Sequence, residues 1–326
     1  MSPGFGLKGS GSMSKPATVG DNLSAHRHGW LKKTNVQKWI FVLLSITPAF
    51  GGYLVFTLYP NLLSVYYSFL HWDGIGEPTY VGFKNFIYMF EDPYVWRALG
   101  HNLLFMVTIP PAVILISLVL AYVLTNRKYW GSSVFKVFFF FPNVLSTVVI
   151  ALLWSFIYDG SFGLLNAFLG LIGIEMGNFY WLGEKTALWA IIPPAIWGGV
   201  GFYIVIFVNA MVTIPKSLYE SALLEGAGHR TRLFTITLPL ISPIIRVATL
   251  FLALGVIKGF ENVLTLTNGG PAGGTDVIGL YMFNIAFGKG SHDYGYASAI
   301  GMLLFVILIT SKWLSDKWLP NQSIEY

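Results

Sequence analysis

The sequence contains no cysteine and few charged residues. Of its 326 residues, 11% are Asp, Glu, Lys or Arg, whereas 55% are hydrophobic and 17% are aromatic. An average soluble domain has about 25% charged residues. The absence of cysteine excludes disulfides, thiolate metal sites and thiol catalysis. The low charge excludes an ordinary soluble enzyme or nucleic-acid binder and indicates a membrane protein.

Motifs for catalysis and nucleotide binding are also missing. The six histidines are scattered, and none has a carboxylate or a second histidine at metal-ligand spacing. No G-x-x-x-x-G-K-[ST] run occurs, so the chain carries no ATPase motif of its own. We therefore expect a chain that is not an enzyme, with no catalytic residues, no metal site and no cofactor.

Long runs without Asp, Glu, Lys or Arg dominate the rest of the sequence. Four runs have at least 22 residues, and a sixth apolar stretch has 18. The fifth stretch is interrupted by Lys258 and Glu261. Because a helix needs about 20 residues to span a bilayer, the sequence predicts an all-α integral membrane protein with six transmembrane helices. Their approximate cores are Trp39–Tyr59, Leu103–Leu124, Phe135–Ile157, Ala187–Met211, Leu240–Val263 and Ala297–Leu314.

Lys and Arg alternate between the two sides of these helices. Fifteen of the 20 lie in the N-terminal tail, at the C-terminal end or in loops on one side, and four lie on the other. Since Lys and Arg concentrate on the cytoplasmic side, we expect both termini to be cytoplasmic. This topology and anionic inner-leaflet lipid account for the net charge of +5. No nucleic-acid partner is needed to explain it.

Polar segments flank the predicted transmembrane domain, residues 38–318. Residues 1–37 lack the short apolar core and cleavage site of a signal peptide. We expect this cytoplasmic tail to be disordered. Residues 319–326 are predicted to form a short cytoplasmic C-terminal tail.

The inner loop between predicted helices four and five, residues 214–243, is rich in small residues. Ser217 and Glu220 have the spacing of a capping box, and Gly228 suits a helix stop. The sequence therefore predicts a short cytoplasmic helix from Ser217 to Gly228. Its small and acidic residues favour docking against another protein, and an amphipathic helix lying on lipid is the alternative. The residues expected at the docking surface are Ser217, Glu220, Ser221, Ala222, Glu225, Gly226 and Ala227.

This loop resembles the EAA loop of bacterial ABC importer permeases. The resemblance is carried by Glu220-Ser221-Ala222, Glu225-Gly226-Ala227, Phe234, Ile236, Leu238-Pro239 and Pro243. Ser221 stands where Ala is commoner, and Glu225 where Asp is commoner; both keep the size or the charge. The segments that look like the carbohydrate-uptake branch, which is maltose and glycerol-phosphate permease-like, are Val81–Phe86, Trp197–Phe202, Leu266–Pro271 and Gly295–Ala299.

The resemblance implies a permease subunit in the bacterial inner membrane. Such an importer has a second permease subunit, commonly a different chain, and two cytoplasmic ATPase subunits that bind ATP and Mg²⁺. An extracytoplasmic solute-binding protein delivers the cargo, here a saccharide. Because Lys258 could meet an anionic group on the cargo, acidic oligosaccharides are among the candidates. The helix at 217–228 would couple the ATPase to helices four and five, and the cargo would cross by alternating access.

Residues for saccharide contact are expected on helices four and five. Aromatic faces pack on the C–H surfaces of sugars, and amides or charges bind their hydroxyls. Aromatic side chains at helical spacing also pack against neighbouring helices, and this alternative stays open. The candidates are Phe202, Tyr203, Asn209, Lys258, Glu261 and Asn262.

Lys258 and Glu261 lie three residues apart in the predicted fifth helix. An ammonium in mid-helix costs about 2.5 to 3.5 kcal/mol on insertion scales. Three interpretations follow: Lys258 pairs with Glu261, extends to the membrane interface, or meets an anionic group on the cargo. A different class of protein, a proton-coupled secondary transporter or channel that uses this pair, is the alternative function.

Overall fold

The computed structural model describes residues 20–126, 132–288 and 292–318. These ranges contain α-helices, two π-helical turns and one two-stranded sheet. The chain divides into two compact units, Met1–Leu63 and Ser64–Tyr326.

The described part of the first unit is one helical stretch. Helix α1 (Gly20–Tyr53) continues through the π-turn π1 (Leu54–Leu58) into α2 (Tyr59–Tyr67). Pro60 accounts for the wider turn, because a proline ring clashes with the carbonyl four residues earlier. The predicted disordered tail is wrong for residues 20–37, which are helical. Residues 1–19 and 319–326 lie outside the described residues.

The second unit carries the remaining elements. Strand β1 pairs with β2 in antiparallel register, with Leu70 opposite Tyr80. The elements are β1 (Leu70–His71), β2 (Thr79–Tyr80), α3 (Lys84–Glu91), α4 (Pro93–Asn126), α5 (Ser132–Val144), α6 (Thr147–Ile157), α7 (Leu164–Leu171), α8 (Ala187–Ala190), α9 (Ile192–Val212), α10 (Lys216–Leu224), α11 (His229–Arg232), the π-turn π2 (Leu233–Thr237), α12 (Leu238–Lys258), α13 (Glu261–Leu266), α14 (Ile278–Phe287) and α15 (Tyr294–Trp318).

Five helical stretches in the described ranges are long and apolar enough to span a membrane. They confirm a mostly helical, membrane-spanning chain. They correspond to five of the six predicted spans. The stretches are Val36–Tyr67, Pro93–Thr125, Ala187–Val212, His229–Lys258 and Tyr294–Lys317.

The predicted third span, Phe135–Ile157, is not one continuous helix. It is divided into α5 and α6, each shorter than a bilayer is thick. Pro142 lies in the last turn of α5. Ser146 then adopts extended backbone geometry and caps α6, its hydroxyl accepting a hydrogen bond from the N–H of Val149 at 3.4 Å. The proline and the cap together explain the break.

The predicted fifth helix also ends earlier than expected. Helix α12 stops at Lys258, Gly259 is extended with ψ 126°, and Glu261 starts the separate helix α13. The prediction of one helix to Val263 is therefore wrong. Lys258 therefore stands at the C-terminus of a helix and not in mid-helix. The helix dipole favours a positive charge at a C-terminus.

The centre of the second unit is the pairing of α4 with α9. The Ser117 hydroxyl donates to the carbonyl of Val200 at 3.0 Å, and both side chains are buried. A Cβ on Gly201 would collide with the carbonyl of Phe139 on α5. Glycine at this position therefore lets α5 pack closely on α9, as small residues do between membrane helices.

Helix α4 joins two ends of the second unit. Near its last turn, the Tyr122 hydroxyl donates to the carbonyl of His229 at 2.9 Å. At its start, the Asp92 carboxylate accepts from the hydroxyls of Tyr281 and Tyr296, each at 2.6 Å. A 34-residue helix is roughly 50 Å long. We call residues 213–237 the loop end, and residues 68–94 with 264–288 and 292–296 the distal end.

The distal end brings together two of the segments that carried the family resemblance. The Asn85 side chain donates to the carbonyls of Ser68 and Leu70 at 3.0 and 2.8 Å. The N–H of Tyr294 donates to the carbonyl of Trp72 at 2.9 Å. Gly295 packs against Leu70 so closely that a Cβ would collide with its carbonyl oxygen. Segments 81–86 and 295–299 thus form one structural unit.

Candidate functional site

The predicted docking helix exists as α10, but it begins differently from the prediction. It starts at Lys216, after Pro215 with φ −57° and ψ 128°. Pro215 is a favourable residue at a helix start because its fixed φ needs no ordering. No side chain caps this helix start, and Ser217 lies inside the first turn. The predicted capping box between Ser217 and Glu220 is therefore wrong.

The end of α10 is set by Gly226, not by Gly228. Gly226 has φ +79°, its N–H donates to the carbonyl of Leu223 at 3.0 Å, and the N–H of Ala227 donates to that of Ala222 at 2.8 Å. These two bonds form a Schellman motif, which needs the left-handed conformation that glycine adopts most easily. The helix ends at Leu224, and Gly228, with φ −69°, instead precedes α11.

Most of the predicted docking residues are exposed on α10 and the turn after it. Ser217, Glu220, Ser221, Glu225 and Gly226 are exposed, and Ala222 and Ala227 are half-buried. Three leucines missed by the sequence reasoning share this exposure. They are Leu218, Leu223 and Leu224, the last 91% exposed. Clustered apolar side chains on an otherwise polar loop were the signal, since such a patch marks a contact surface.

A cavity of about 460 Å³ lies between α4, the α5–α6 break, α9, α12 and α13. Among the six predicted pathway residues, Tyr203, Glu261 and Asn262 line it. The other three, which are Phe202, Asn209 and Lys258, are exposed elsewhere and are not part of its wall. Half of the predicted pathway residues therefore lie in the wall of this cavity.

Asn262 is the most informative polar group of the cavity. Its side-chain oxygen is buried and has no hydrogen-bond partner within the described residues. An unmet buried acceptor costs about 1 to 3 kcal/mol. The neighbouring Glu261 carboxylate accepts from the N–H of Phe260 at 3.1 Å. Asn262 thus combines an unused buried acceptor with a place in the cavity wall.

Two polar residues of the cavity wall were missed. Asn143 and Thr147 line it from either side of the break between α5 and α6. Pro142 followed by Asn143 and, three residues on, by Ser146 was the available signal, since these residue types interrupt helices. Treating 135–157 as a continuous span hid them.

Lys258 and Glu261 do not form the predicted pair. Neither takes part in the ion pairs found among the described residues, which are His71 with Asp293 and Lys312 with Asp316. The break at Gly259 puts the two residues on separate helices. The alternative of a proton-linked carrier built on this pair has no support.

The distal end holds a carboxylate in an unfavourable environment. Burial raises the pKa of Asp276 above its usual value, and the nearby His101 and Arg97 offset this only in part. The carboxylate occupies the space where a Cβ of Gly269 would lie, and one of its oxygens is buried without a partner in the described chain. By contrast, the N–H groups of Gly76 and Ile75 lower the pKa of the exposed Asp73.

Residues 113–318 match the family described as "Binding-protein-dependent transport system inner membrane component". The chain belongs to this family. It is therefore a membrane-embedded transport component of the inner membrane, and the predicted resemblance to ABC importer permeases is confirmed.

Relatives and a solved structure agree with this membership. The chain is 31% identical to the diacetylchitobiose uptake system permease protein NgcF of Streptomyces coelicolor, covering 85% of this chain and 82% of NgcF. It is 34% identical to the probable ABC transporter permease protein YurN of Bacillus subtilis, covering 86% and 97%. A bacterial ABC transporter that imports the acidic polysaccharide alginate has the same fold, with TM-score 0.75, 23% identity and coverage of 89% and 99%.

Proposed function

We propose that this chain is the permease subunit of an ATP-driven importer that moves a saccharide into the cytoplasm by alternating access. The observation that carries the proposal is the continuous path from the exposed helix α10, through π2, to α12, whose residues Phe251 and Leu252 line the cavity. A force applied to α10 thereby reaches the cavity wall. The relative NgcF, which is named for diacetylchitobiose uptake, supports a saccharide as cargo.

The proposed topology has six spans with both termini in the cytoplasm. Helices α5 and α6 together supply the span that neither could make alone, and α5 packs against α9. The loop end is the cytoplasmic side, because Lys216, Arg230 and Arg232 lie there. The distal end then faces outward.

The proposed assembly contains components that this chain does not supply. A second permease subunit, which we expect to be a different chain, would complete the pathway. Two cytoplasmic ATPase subunits would bind ATP and Mg²⁺. An extracytoplasmic binding protein would deliver the cargo, and the words "binding-protein-dependent" in the family description support this part of the assembly. No nucleic acid takes part.

The proposed contact with the ATPase is the exposed face of α10 and its C-terminal turn. Glu220 and Glu225 supply negative charge, and the three exposed leucines supply apolar area. Gly226 adds no side chain to the turn after the helix, and no other atom of the chain lies within 4 Å of the place a Cβ would occupy, so the turn is open to a partner. A surface of this kind suits a cleft better than a lipid headgroup layer, which would require basic residues around the apolar face.

The proposed cargo contacts are Tyr203, Asn262 and Glu261, with Asn143 and Thr147 added. The buried oxygen of Asn262 would accept a hydrogen bond from a saccharide hydroxyl. The charged residue in the wall of this cavity is Glu261, a carboxylate. A carboxylate repels an anionic sugar, so this half of the pathway favours a neutral saccharide over an acidic one.

The test uses the complete complex in lipid nanodiscs, with its ATPase subunits and binding protein. ATP hydrolysis is measured against a panel of neutral oligosaccharides and uronate oligosaccharides. We expect neutral saccharides to stimulate hydrolysis, and Asn262→Leu to reduce that stimulation while Phe202→Ala, outside the cavity, leaves it unchanged. A complex that hydrolyses ATP but responds to no saccharide would contradict the proposal.

A further inference from the structure

Helix α10 is tied to the start of the long helix at 229–258 by one pair of side-chain hydroxyls. The hydroxyl oxygens of Tyr219, on α10, and Thr237, in π2, are 2.9 Å apart. Thr237 is fully buried, and Tyr219 is half-buried. The contact is therefore partly shielded from water, which strengthens a hydrogen bond relative to an exposed one.

The direction of this hydrogen bond follows from the neighbouring one. The Thr237 hydroxyl donates to the carbonyl of Arg232 at 3.3 Å. A threonine hydroxyl has one proton but two acceptor lone pairs. Tyr219 is then the donor to Thr237, and the two bonds form a chain from α10 to the backbone of α11.

Tyr219 is also the residue of α10 that packs against the main hydrophobic core, where Ile236 and Leu240 contact the same cluster. Its neighbours Leu218, Glu220 and Ser221 are exposed and point away from the core. The rest of the α10 surface is thus available to a partner. Tyr219 therefore joins that surface to the core side.

The receiving turn has an unusual geometry. Residues Leu233–Thr237 form a π-turn in which the N–H of Leu238 bonds the carbonyl of Leu233, five residues back. Pro239 follows immediately and cannot supply the N–H that an α-helical turn would need there. Such turns occur often at functional sites. Here the π-turn places Thr237 where Tyr219 reaches it.

We propose that the Tyr219–Thr237 hydrogen bond makes α10 and α12 move as one body, so that Tyr219 is a positioning residue for coupling and not a part of the ATPase contact. The inference rests on the proposed function, because it takes α10 as the element that the ATPase moves. Without the bond, α10 would still dock on the ATPase. Its displacement would be lost before it reached the cavity wall.

The test measures the distance between α10 and α12 in the assembled complex. The chain has no cysteine, so spin labels at Lys216→Cys on α10 and Ile244→Cys on α12 are unique when every other subunit of the complex is cysteine-free. The distance distribution is recorded in nanodiscs with and without ATP and Mg²⁺. We expect ATP to leave the wild-type distance unchanged. In Tyr219→Phe and Thr237→Val, a displaced population should grow about two- to tenfold, as the loss of one hydrogen bond allows.

Two control variants separate the hydroxyl contact from general damage to the turn. Thr237→Ser keeps the hydroxyl and should behave like the wild type. Thr235→Val removes a hydroxyl from the same turn, but that hydroxyl bonds the carbonyl of Thr231 in its own helix at 2.7 Å. It should also behave like the wild type.

Capture of the ATPase subunits distinguishes failure of the inference from failure of the proposed function. If the ATPase is captured and Tyr219→Phe and Thr237→Val keep the wild-type distance in the presence of ATP, the inference is wrong and the proposed function stands. If the wild-type chain itself fails to capture the ATPase, the proposed function is wrong, and the inference falls with it.

Discussion

The side-chain oxygen of Asn102 accepts a hydrogen bond from the N–H of Ile278 at 2.8 Å, although 176 residues separate them. The Asn102 amide nitrogen lies 3.3 and 3.4 Å from the carbonyls of Val256 and Ile257. One buried side chain on α4 therefore supplies hydrogen-bond partners to the first N–H of α14 and to two carbonyls in the last turn of α12. Such helix ends otherwise carry unpaired backbone groups.

We predict that Asn102→Leu destabilises the chain. The substitution leaves the buried N–H of Ile278 without a partner, which should lower the free energy of unfolding by about 1 to 3 kcal/mol. The thermal unfolding midpoint in detergent measures the effect. The matched control, Asn209→Leu, changes an exposed asparagine and should shift the free energy by no more than about 0.5 kcal/mol. Equal midpoints for the two variants would show that the bond to Ile278 is dispensable.

The sequence predicted five of the spans that the described residues show, but not this kind of bond. Charge-free runs predict where helices cross the membrane, because the length and composition of each run alone decide whether it can span the bilayer. The contact of Asn102 with α12 and α14 joins parts of the chain more than 150 residues apart. Nothing in the local pattern around Asn102 indicates it. The break at Ser146 differs, since its proline and cap residues are visible in the sequence and were outweighed by the apolar run.

A second prediction concerns the pH dependence of the distal end. Burial raises the pKa of Asp276 in the folded chain, so the folded state holds this proton more tightly than the unfolded state does. Its contribution to stability is then greatest below the unfolded pKa of about 3.9 and is lost as the pH rises above that value. Asp276→Asn removes this titration.

The measurement for Asp276 is the thermal midpoint of the wild type and of Asp276→Asn between pH 4 and pH 8. The variant should gain stability relative to the wild type as the pH rises. Asp73→Asn serves as the control, because backbone N–H groups lower the pKa of this exposed carboxylate and the charged form is the favoured one. A midpoint difference for Asp276→Asn that stays constant across the range would refute the assigned environment.

The third prediction is that two glycines between α10 and α11 differ in their tolerance of a side chain. Gly226 has φ +79° and Gly228 has φ −69°. An alanine in the left-handed conformation costs about 1 to 2 kcal/mol, so Gly226→Ala should weaken capture of the ATPase subunits in a pull-down. Gly228→Ala adopts its native backbone without strain and should capture normally. The larger Gly226→Leu should assemble poorly for the same reason.

The fourth prediction concerns charge near the cargo. Lys258 is exposed at the end of α12 and outside the cavity wall, whereas Glu261 lies in that wall. Lys258→Met should therefore leave saccharide-stimulated ATP hydrolysis unchanged. Glu261→Gln should change the response to neutral and uronate oligosaccharides relative to each other. Loss of stimulation in Lys258→Met, with assembly intact, would restore a cargo role for the lysine.

The candidate site was predictable to different degrees in its two parts. The predicted docking residues all lie within positions 217–227, so their composition and their likeness to a known loop place them together without any knowledge of the fold. Tyr203 and Asn262 come from different helices, and the cavity between them depends on where α5 breaks and α12 ends. Those two breaks move Asn143 and Thr147 into the wall and leave Lys258 outside it. Pathway residues therefore required the structure.

Site-specific photo-crosslinking in the assembled complex tests directly whether α10 is the surface that contacts the ATPase. A benzophenone amino acid is placed at Leu224, 91% exposed at the end of α10, and in a second sample at Ile75, 92% exposed at the distal end. We expect the residue at position 224 to crosslink to the ATPase subunit and the residue at position 75 not to do so. A Leu224 position that crosslinks only to lipid, or an Ile75 position that crosslinks to the ATPase, would contradict it.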